Sequence, residues 1–449
     1  MSLAFFFLAL CTLWIILGTT YFKIHPFLVL LSAALFLGIS TGIPLTNLVG
    51  IIGKGFGKTI ENVGLLILFG TIIGVVLEES KATHTIANTL LNTLSRLPLP
   101  YAVSCIGYIV SIPVFCDSAF VILSSLNKSL ASKTKTPMVA LTVALSTGLF
   151  APHVLIPPTP GPLAAAANLE VENLFLLIVY GAILAFLLVI VGAIYAHFLS
   201  KRIPFSEQEI MSNDDTISLS NLPPIYQSIA PILVPITLMA IGTLIQLYDF
   251  PPNLSFFKDV LILICTPTFA LLIGMLLALR LMKRQKKSLD GIIEKGISLA
   301  APILIITGMG GTLGLIIQQL PLNEFVSDKL VNPHWGLLIP FLLAAVLKTA
   351  QGSSTVSIIT STSIMFPLLG VLGLESELGK VWVILAVGVG SMTVSHANDS
   401  YFWIVSQLGG LDIKSAYKYH TFGTFLQGTI GFVLVAFGYA ITQSLFGIG

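Results

Sequence analysis

Lys348-Thr349-Ala350-Gln351-Gly352-Ser353-Ser354-Thr355 lies in the middle of an apolar region running from 335 to 372, and its placement decides the fold. A cation, a glycine and three hydroxyls are costly inside an unbroken lipid-facing helix, because each polar group removed from water needs a partner. The region therefore reads as two half-helices joined by a tip within the membrane. Three further apolar regions carry polar, Gly or Pro residues at their middles: 101 to 126, 137 to 165 and 380 to 407. These read as broken in the same way.

The rest of the chain supplies ordinary spans at 3 to 20, 26 to 40, 62 to 79, 172 to 199, 228 to 248, 258 to 282, 300 to 320 and 420 to 447. With 55% hydrophobic and 9% charged residues over 449 positions, the chain lacks the charged surface that keeps a soluble domain in water. The expected fold is an all-α polytopic membrane protein. Residues 3 to 20 lack a basic leader and a small-residue cleavage site, so they read as a retained helix. Cys11, Cys105, Cys116 and Cys265 all sit in apolar segments and imply neither disulfides nor a metal site. No cofactor is expected. The basic residues lie in short loops without aromatic interleaving, which argues against nucleic acid and makes their value topological.

An internal repeat organises these spans. Ile51-Ile52-Gly53-Lys54-Gly55 recurs as Ile292-Ile293-Glu294-Lys295-Gly296, 241 residues on, and His153 and His396 stand 243 apart. The division expected is an N-terminal half over 1–199, a cytoplasmic linker over 200–227 and a C-terminal half over 228–449. If 101 to 126 and 335 to 372 are re-entrant hairpins, each half crosses an odd number of times and the two repeats are inverted. Sixteen Lys and Arg residues then face the cytoplasm and five face outward, with both termini outside. Inverted repeats with discontinuous helices build binding sites near the bilayer midplane, where helix ends expose N–H and C=O groups.

The site candidates follow from the breaks. In the first hairpin Pro113 removes a backbone donor and places Asp117 and Ser118 at a turn deep in the membrane. An ionised carboxylate there is a functional candidate; the plainer alternative is a helix cap or an acid neutralised by a neighbouring lysine. In the second, Lys348 precedes Gln351, Gly352, Ser353, Ser354 and Thr355 at the start of a half-helix, which is anion-binding chemistry. Snorkelling of Lys348 to the interface, with capping hydroxyls, is the alternative. The broken spans contribute Thr147 and His153 before Pro157-Pro158-Thr159-Pro160-Gly161-Pro162, a run expected to be non-helical, and His396, Asn398 and Asp399 in the other half. A lone histidine is usually a satisfied core residue, but histidine titrates near neutral pH and the placement is duplicated. Asp117, His153, His396 and Asp399 are the candidates for carrying a coupling proton, with Asp117 first and Asp399 assigned to substrate hydroxyls.

These residues resemble the gluconate:proton symporter family, which includes D-serine and other sugar-acid permeases. The resemblance covers nearly the full chain. It rests on Gly70-Thr71 through Leu77-Glu78-Glu79-Ser80, Ile112-Pro113-Val114-Phe115, His153 with Pro157-Pro158 and Pro160-Gly161-Pro162, Ala350-Gln351-Gly352-Ser353 before Thr355-Val356, and Ser395-His396 with Asn398-Asp399 and Phe402-Trp403. It implies proton-coupled uptake of a sugar acid, in a fold similar to the ion-transporter superfamily, by a homodimer with an elevator-like movement in a bacterial inner membrane. The chain departs from the family pattern at Cys116-Asp117-Ser118, where Phe-Glu is expected, at Lys348, where arginine is expected, and at Lys81-Ala82, where paired glycines are common.

The function expected is therefore secondary active transport of a small anionic or zwitterionic hydroxylated acid, gluconate or D-serine among them, with protons as the coupling ion. The nearest alternative is a sodium-coupled carboxylate or dicarboxylate carrier of the same superfamily. A channel would need a continuous polar pore. An intramembrane enzyme would need a nucleophile elbow or a metal-binding spacing, and neither accompanies His396, Asp399 and Ser353.

Overall fold

The computed structural model describes residues 3–205, 222–246, 255–282, 289–318, 336–397 and 399–446. Among these the chain is helical: α1 (Leu3–Thr20), α2 (Pro26–Ser40), α3 (Leu45–Glu79), α4 (Ala82–Thr93), α5 (Leu99–Ser111), α6 (Cys116–Thr134), α7 (Met138–Leu155), α8 (Pro160–Asn168), α9 (Leu174–Arg202), α10 (Ile225–Gln246), α11 (Ser255–Cys265), α12 (Pro267–Met282), α13 (Leu289–Gln318), α14 (Leu338–Gln351), α15 (Ser354–Met365), α16 (Glu377–Met392), α17 (Ser400–Leu408), α18 (Ile413–Ser415) and α19 (Phe422–Phe446). Five of the described helices are long and apolar enough to cross a membrane, or seven when each bent pair counts as one span. Most of the expected cytoplasmic linker, and the basic run after Met282, fall outside the described residues.

All four breaks form where polar, Gly and Pro residues interrupt the apolar run. Residues 112–115 separate α5 from α6, residues 156–159 separate α7 from α8, Gly352 and Ser353 separate α14 from α15, and the segment after Met392 separates α16 from α17. The proline run behaves differently from expectation in one respect: Pro160 and Pro162 lie in the first turn of α8. A helix's first N–H groups have no intrahelical partner, so proline costs no hydrogen bond there. The stretch 258 to 282, expected as one ordinary helix, is bent by 63° between Cys265 and Pro267, where proline again lacks a donor. The expected span 62 to 79 is the second part of α3, which begins at Leu45 and bends by 48° near Gly64.

Element order repeats between the halves. α2 and α12 both open on proline, 241 residues apart. α3, α5, α6, α7, α8 and α9 are matched in order by α13, α14, α15, α16, α17 and α19. Packing repeats too: α5 lies on α7 as α14 lies on α16, α7 on α9 as α16 on α19, and α2 on α13 as α12 on α3. The α5–α7 contact depends on glycine, since a Cβ at Gly148 would stand 2.5 Å from the Ser104 carbonyl oxygen and one at Gly107 would stand 2.8 Å from the Gly148 carbonyl carbon. Small residues allow such backbone approach between membrane helices, where dispersion contacts do the work that water exclusion does elsewhere. The Ser104 hydroxyl donates across the same contact to Ala144 O at 3.0 Å.

Candidate substrate site

Three helix N-termini and one helix end converge on a cavity of about 90 Å³ lined by Phe115, Cys116, Asp117, Phe150, His153, Gly352, Ser353, Ser354, Thr355, Asp399, Ser400 and Tyr401. α6, α15 and α17 begin at its wall, and His153 reaches it from the last turn of α7. The partial positive charge at a helix start favours anions. Two of these three starts already hold an acid of the chain itself. Asp117 lies in the first turn of α6, and Asp399 caps α17 by accepting from Tyr401 N at 3.1 Å. α15 holds none; the neutral Ser353 hydroxyl caps it, accepting from Val356 N at 3.3 Å. The α15 start is therefore the anion position left open.

Local sequence accounts for the tip. Gly352 sits at φ 78°, the left-handed conformation that favours glycine, and its N–H donates to Lys348 O at 2.8 Å to close α14. That turn lets Ser353 start a new helix immediately. The hairpin is fastened by the Ser357 hydroxyl, which donates to Ala344 O at 2.7 Å.

Behind the wall runs a buried polar network. The Lys348 ammonium, 1% exposed, pairs with Asp399 Oδ2 and lies 5.8 Å from the centre of the Phe150 ring. It also lies 3.4 Å from Gly352 O. Asp399 Oδ2 accepts a second bond from the Ser395 hydroxyl at 2.6 Å. His420 Nε2 is 3.1 Å from Ser395 Oγ, and His420 Nδ1 is 3.2 Å from Ser146 Oγ, so one fully buried imidazole ties α7 to the break after α16. The Tyr401 hydroxyl donates to Ser146 O at 2.9 Å. Asp117 Oδ2 accepts from the Ser400 hydroxyl at 3.2 Å, joining the first hairpin to α17. Among the described residues His153 Nδ1 is buried without a hydrogen-bond partner, beside a cavity that could supply one.

The candidates from the sequence thus divide. Asp117, His153, Gly352, Ser353, Ser354, Thr355 and Asp399 line the cavity, and Lys348 stands behind it on Asp399. Ser118 follows Asp117 in α6 without lining the cavity. Thr147 points away: its hydroxyl donates to Val143 O at 2.6 Å, and a Cβ at Gly192 of α9 would stand 2.4 Å from its Oγ1. His396 does not line the cavity; its Nε2 is 2.9 Å from Thr349 O. Asn398 lies outside the described residues, as does the Gln351 side chain. His420, Ser395, Ser400 and Tyr401 were not among the candidates. His420 falls in a π-helical turn, Ala416–Thr421, at the mouth of the last apolar span; such turns recur at functional sites, but this one shows only in the structure.

A multi-pass helical membrane protein with a polar cavity where interrupted helices meet has the form of a transport protein. The family comparison agrees: residues 2–441 match the GntP family permease model, and the chain belongs to that family. Its relatives are permeases and transporters, not enzymes. It is 32% identical to an uncharacterized permease of Haemophilus influenzae, covering 87% of this chain and 83% of that one. It is 30% identical to the D-serine transporter DsdX of Escherichia coli K12, covering 93% and 94%, and 29% identical to a gluconate permease of Pseudomonas aeruginosa, covering 93% of each. The fold is similar to that of the Alcanivorax borkumensis YdaH transporter, a crystal structure described as having an unusual topology, with TM-score 0.64 at 16% identity over 93% of this chain and 98% of that one.

Proposed function

We propose that this permease carries a small hydroxylated carboxylate, gluconate or a related sugar acid, across a bacterial inner membrane by proton-coupled symport. The observation that carries the reading is the open α15 N-terminus beside a buried ammonium: Ser353, Ser354 and Thr355 face the cavity while Lys348 stands one turn away. A carboxylate placed there meets helix N–H groups, a nearby positive charge and hydroxyls. Around it Asp117, His153 and Ser400 offer acceptors and donors for substrate hydroxyls. Relatives named for gluconate and D-serine support a small polar acid as the substrate.

The same reading takes the halves 1–199 and 228–449 as repeats inverted across the membrane and joined by the linker 200–227, with both termini outside. The four breaks then meet from opposite faces. A homodimer moving the cavity by an elevator-like step completes the proposal. The sodium-coupled alternative gains nothing from the site: the position between Asp399 and the Gly352 carbonyl, where a coupling cation would find oxygen ligands, holds the Lys348 ammonium.

A thermal-shift panel on purified protein tests the substrate class. Gluconate and related aldonates should raise Tm at millimolar concentration. Stabilisation by dicarboxylates in the presence of sodium, with none by aldonates, would overturn the assignment.

A further inference from the structure

We infer that substrate and Asp399 compete for the Lys348 ammonium, and that Asp399 is the group that takes up the coupling proton when it loses. The inference rests on the reading of the cavity as an organic-acid site. Before any substrate arrives the site, among the described residues, holds two carboxylates, Asp117 and Asp399, against one ammonium. A substrate carboxylate at the α15 start adds a third. Leaving that excess ionised in a buried site is strongly unfavourable, so anion entry draws in a proton.

Geometry selects which acid receives it. Lys348 is pinned between Asp399 and the tip that forms the substrate position, so a carboxylate bound at Ser354 and Thr355 draws the ammonium off Asp399. Asp399 is 4% exposed and then lacks its counter-charge. Among the described residues Asp117 has no lysine partner to lose, and it keeps its bond from the Ser400 hydroxyl. The step balances simply: Asp399 Oδ2 gains the proton that a hydronium entering with substrate gives up, and water is released.

The surroundings accept both forms of Asp399. While it is ionised, the Ser395 hydroxyl donates to it. Once protonated, Asp399 donates to Ser395 Oγ, whose own hydrogen turns to His420 Nε2. His420 supplies that acceptor in its Nδ1–H tautomer, whose hydrogen is directed at Ser146 Oγ, whereas its Nε2–H tautomer donates to Ser395 Oγ while Asp399 is ionised. His420 is thus a positioning residue for proton uptake. The other groups near Asp399 are His153 from α7, Cys116 and Asp117 from α6, and Tyr401 from α17. None of them stands between Lys348 and Asp399.

Proton uptake on gluconate binding tests this directly, using purified protein in weakly buffered detergent with a pH-sensitive dye and pH-matched gluconate. Wild type should take up about one proton per gluconate bound near neutral pH; Asp117→Asn, which alters the cavity wall, should bind gluconate more weakly and keep that stoichiometry. Asp399→Asn should bind gluconate with no proton uptake. His420→Phe should bind gluconate with its proton uptake moved to lower pH, which loss of packing alone would not do. Undiminished uptake in Asp399→Asn, or abolished uptake in Asp117→Asn, overturns the inference. Should Asp399→Asn fail to fold, the Asp117→Asn result decides. Gluconate binding by wild type without proton uptake defeats the inference alone, whereas no gluconate binding at all defeats the reading of the site on which it rests.

Discussion

Lys348 and Asp399 are 51 positions apart and form one buried unit. Breaking a buried ion pair by removing one partner leaves an uncompensated charge and costs about 3–5 kcal/mol. Lys348→Met should therefore lower Tm sharply and abolish gluconate binding. Adding Asp399→Asn should restore most of the stability without restoring binding, because the lost charge faced the substrate as well as Asp399. A double-mutant cycle on Tm and on affinity separates the two roles. Recovery of binding in the double variant would show that Lys348 serves only to neutralise Asp399. Both residues were legible in the sequence as charges inside apolar runs, and so was Asp117. Their pairing was not, because no spacing rule joins a hairpin tip to a break in the following broken span. His420 was hidden for a related reason. It follows Tyr417-Lys418-Tyr419 at a membrane boundary, where polar residues are ordinary, and only packing brings it between Ser146 and Ser395.

At the scale of elements, the breaks were legible because proline, glycine and clustered polar residues have local causes. Two proline effects ran against expectation although their causes are local: Pro267 starts a new helix after a bend, and Pro160 and Pro162 occupy a first turn, where a missing N–H costs no hydrogen bond. The glycine contacts give a sharp comparison. Gly148→Ala forces α5 and α7 apart at backbone level and should destabilise by about 1–3 kcal/mol. Gly53→Ala on α3 meets open space and replaces a poor helix former, so Tm should hold or rise. Equal effects at the two positions, read by thermal unfolding in one detergent, would mean that the α5–α7 approach is looser than described. Gly352→Ala belongs to a third case. Its left-handed φ costs a side chain about 1–2 kcal/mol, and the strain falls on the tip that presents Ser353 and Ser354, so gluconate affinity should drop along with Tm.

At the scale of the whole molecule, helix order and packing recur along the chain, and the division into two inverted halves is our proposal. The proposed inversion rests on charge asymmetry and on reading the two hairpins as re-entrant. Lys133, near the end of α6, and Glu375, in the loop before α16, close corresponding hairpins. Single cysteines at these positions, in a background freed of Cys11, Cys105, Cys116 and Cys265, should be labelled from opposite sides of intact cells. Labelling of both from one side would rule out inversion.

The most direct test of the central claim is uptake of labelled gluconate into sodium-free proteoliposomes under an imposed pH gradient, acid outside. The account predicts accumulation above the external concentration, collapse on addition of a protonophore, and none in Lys348→Met vesicles. Gluconate uptake that stops at equilibrium despite the gradient, or that requires sodium, would contradict it.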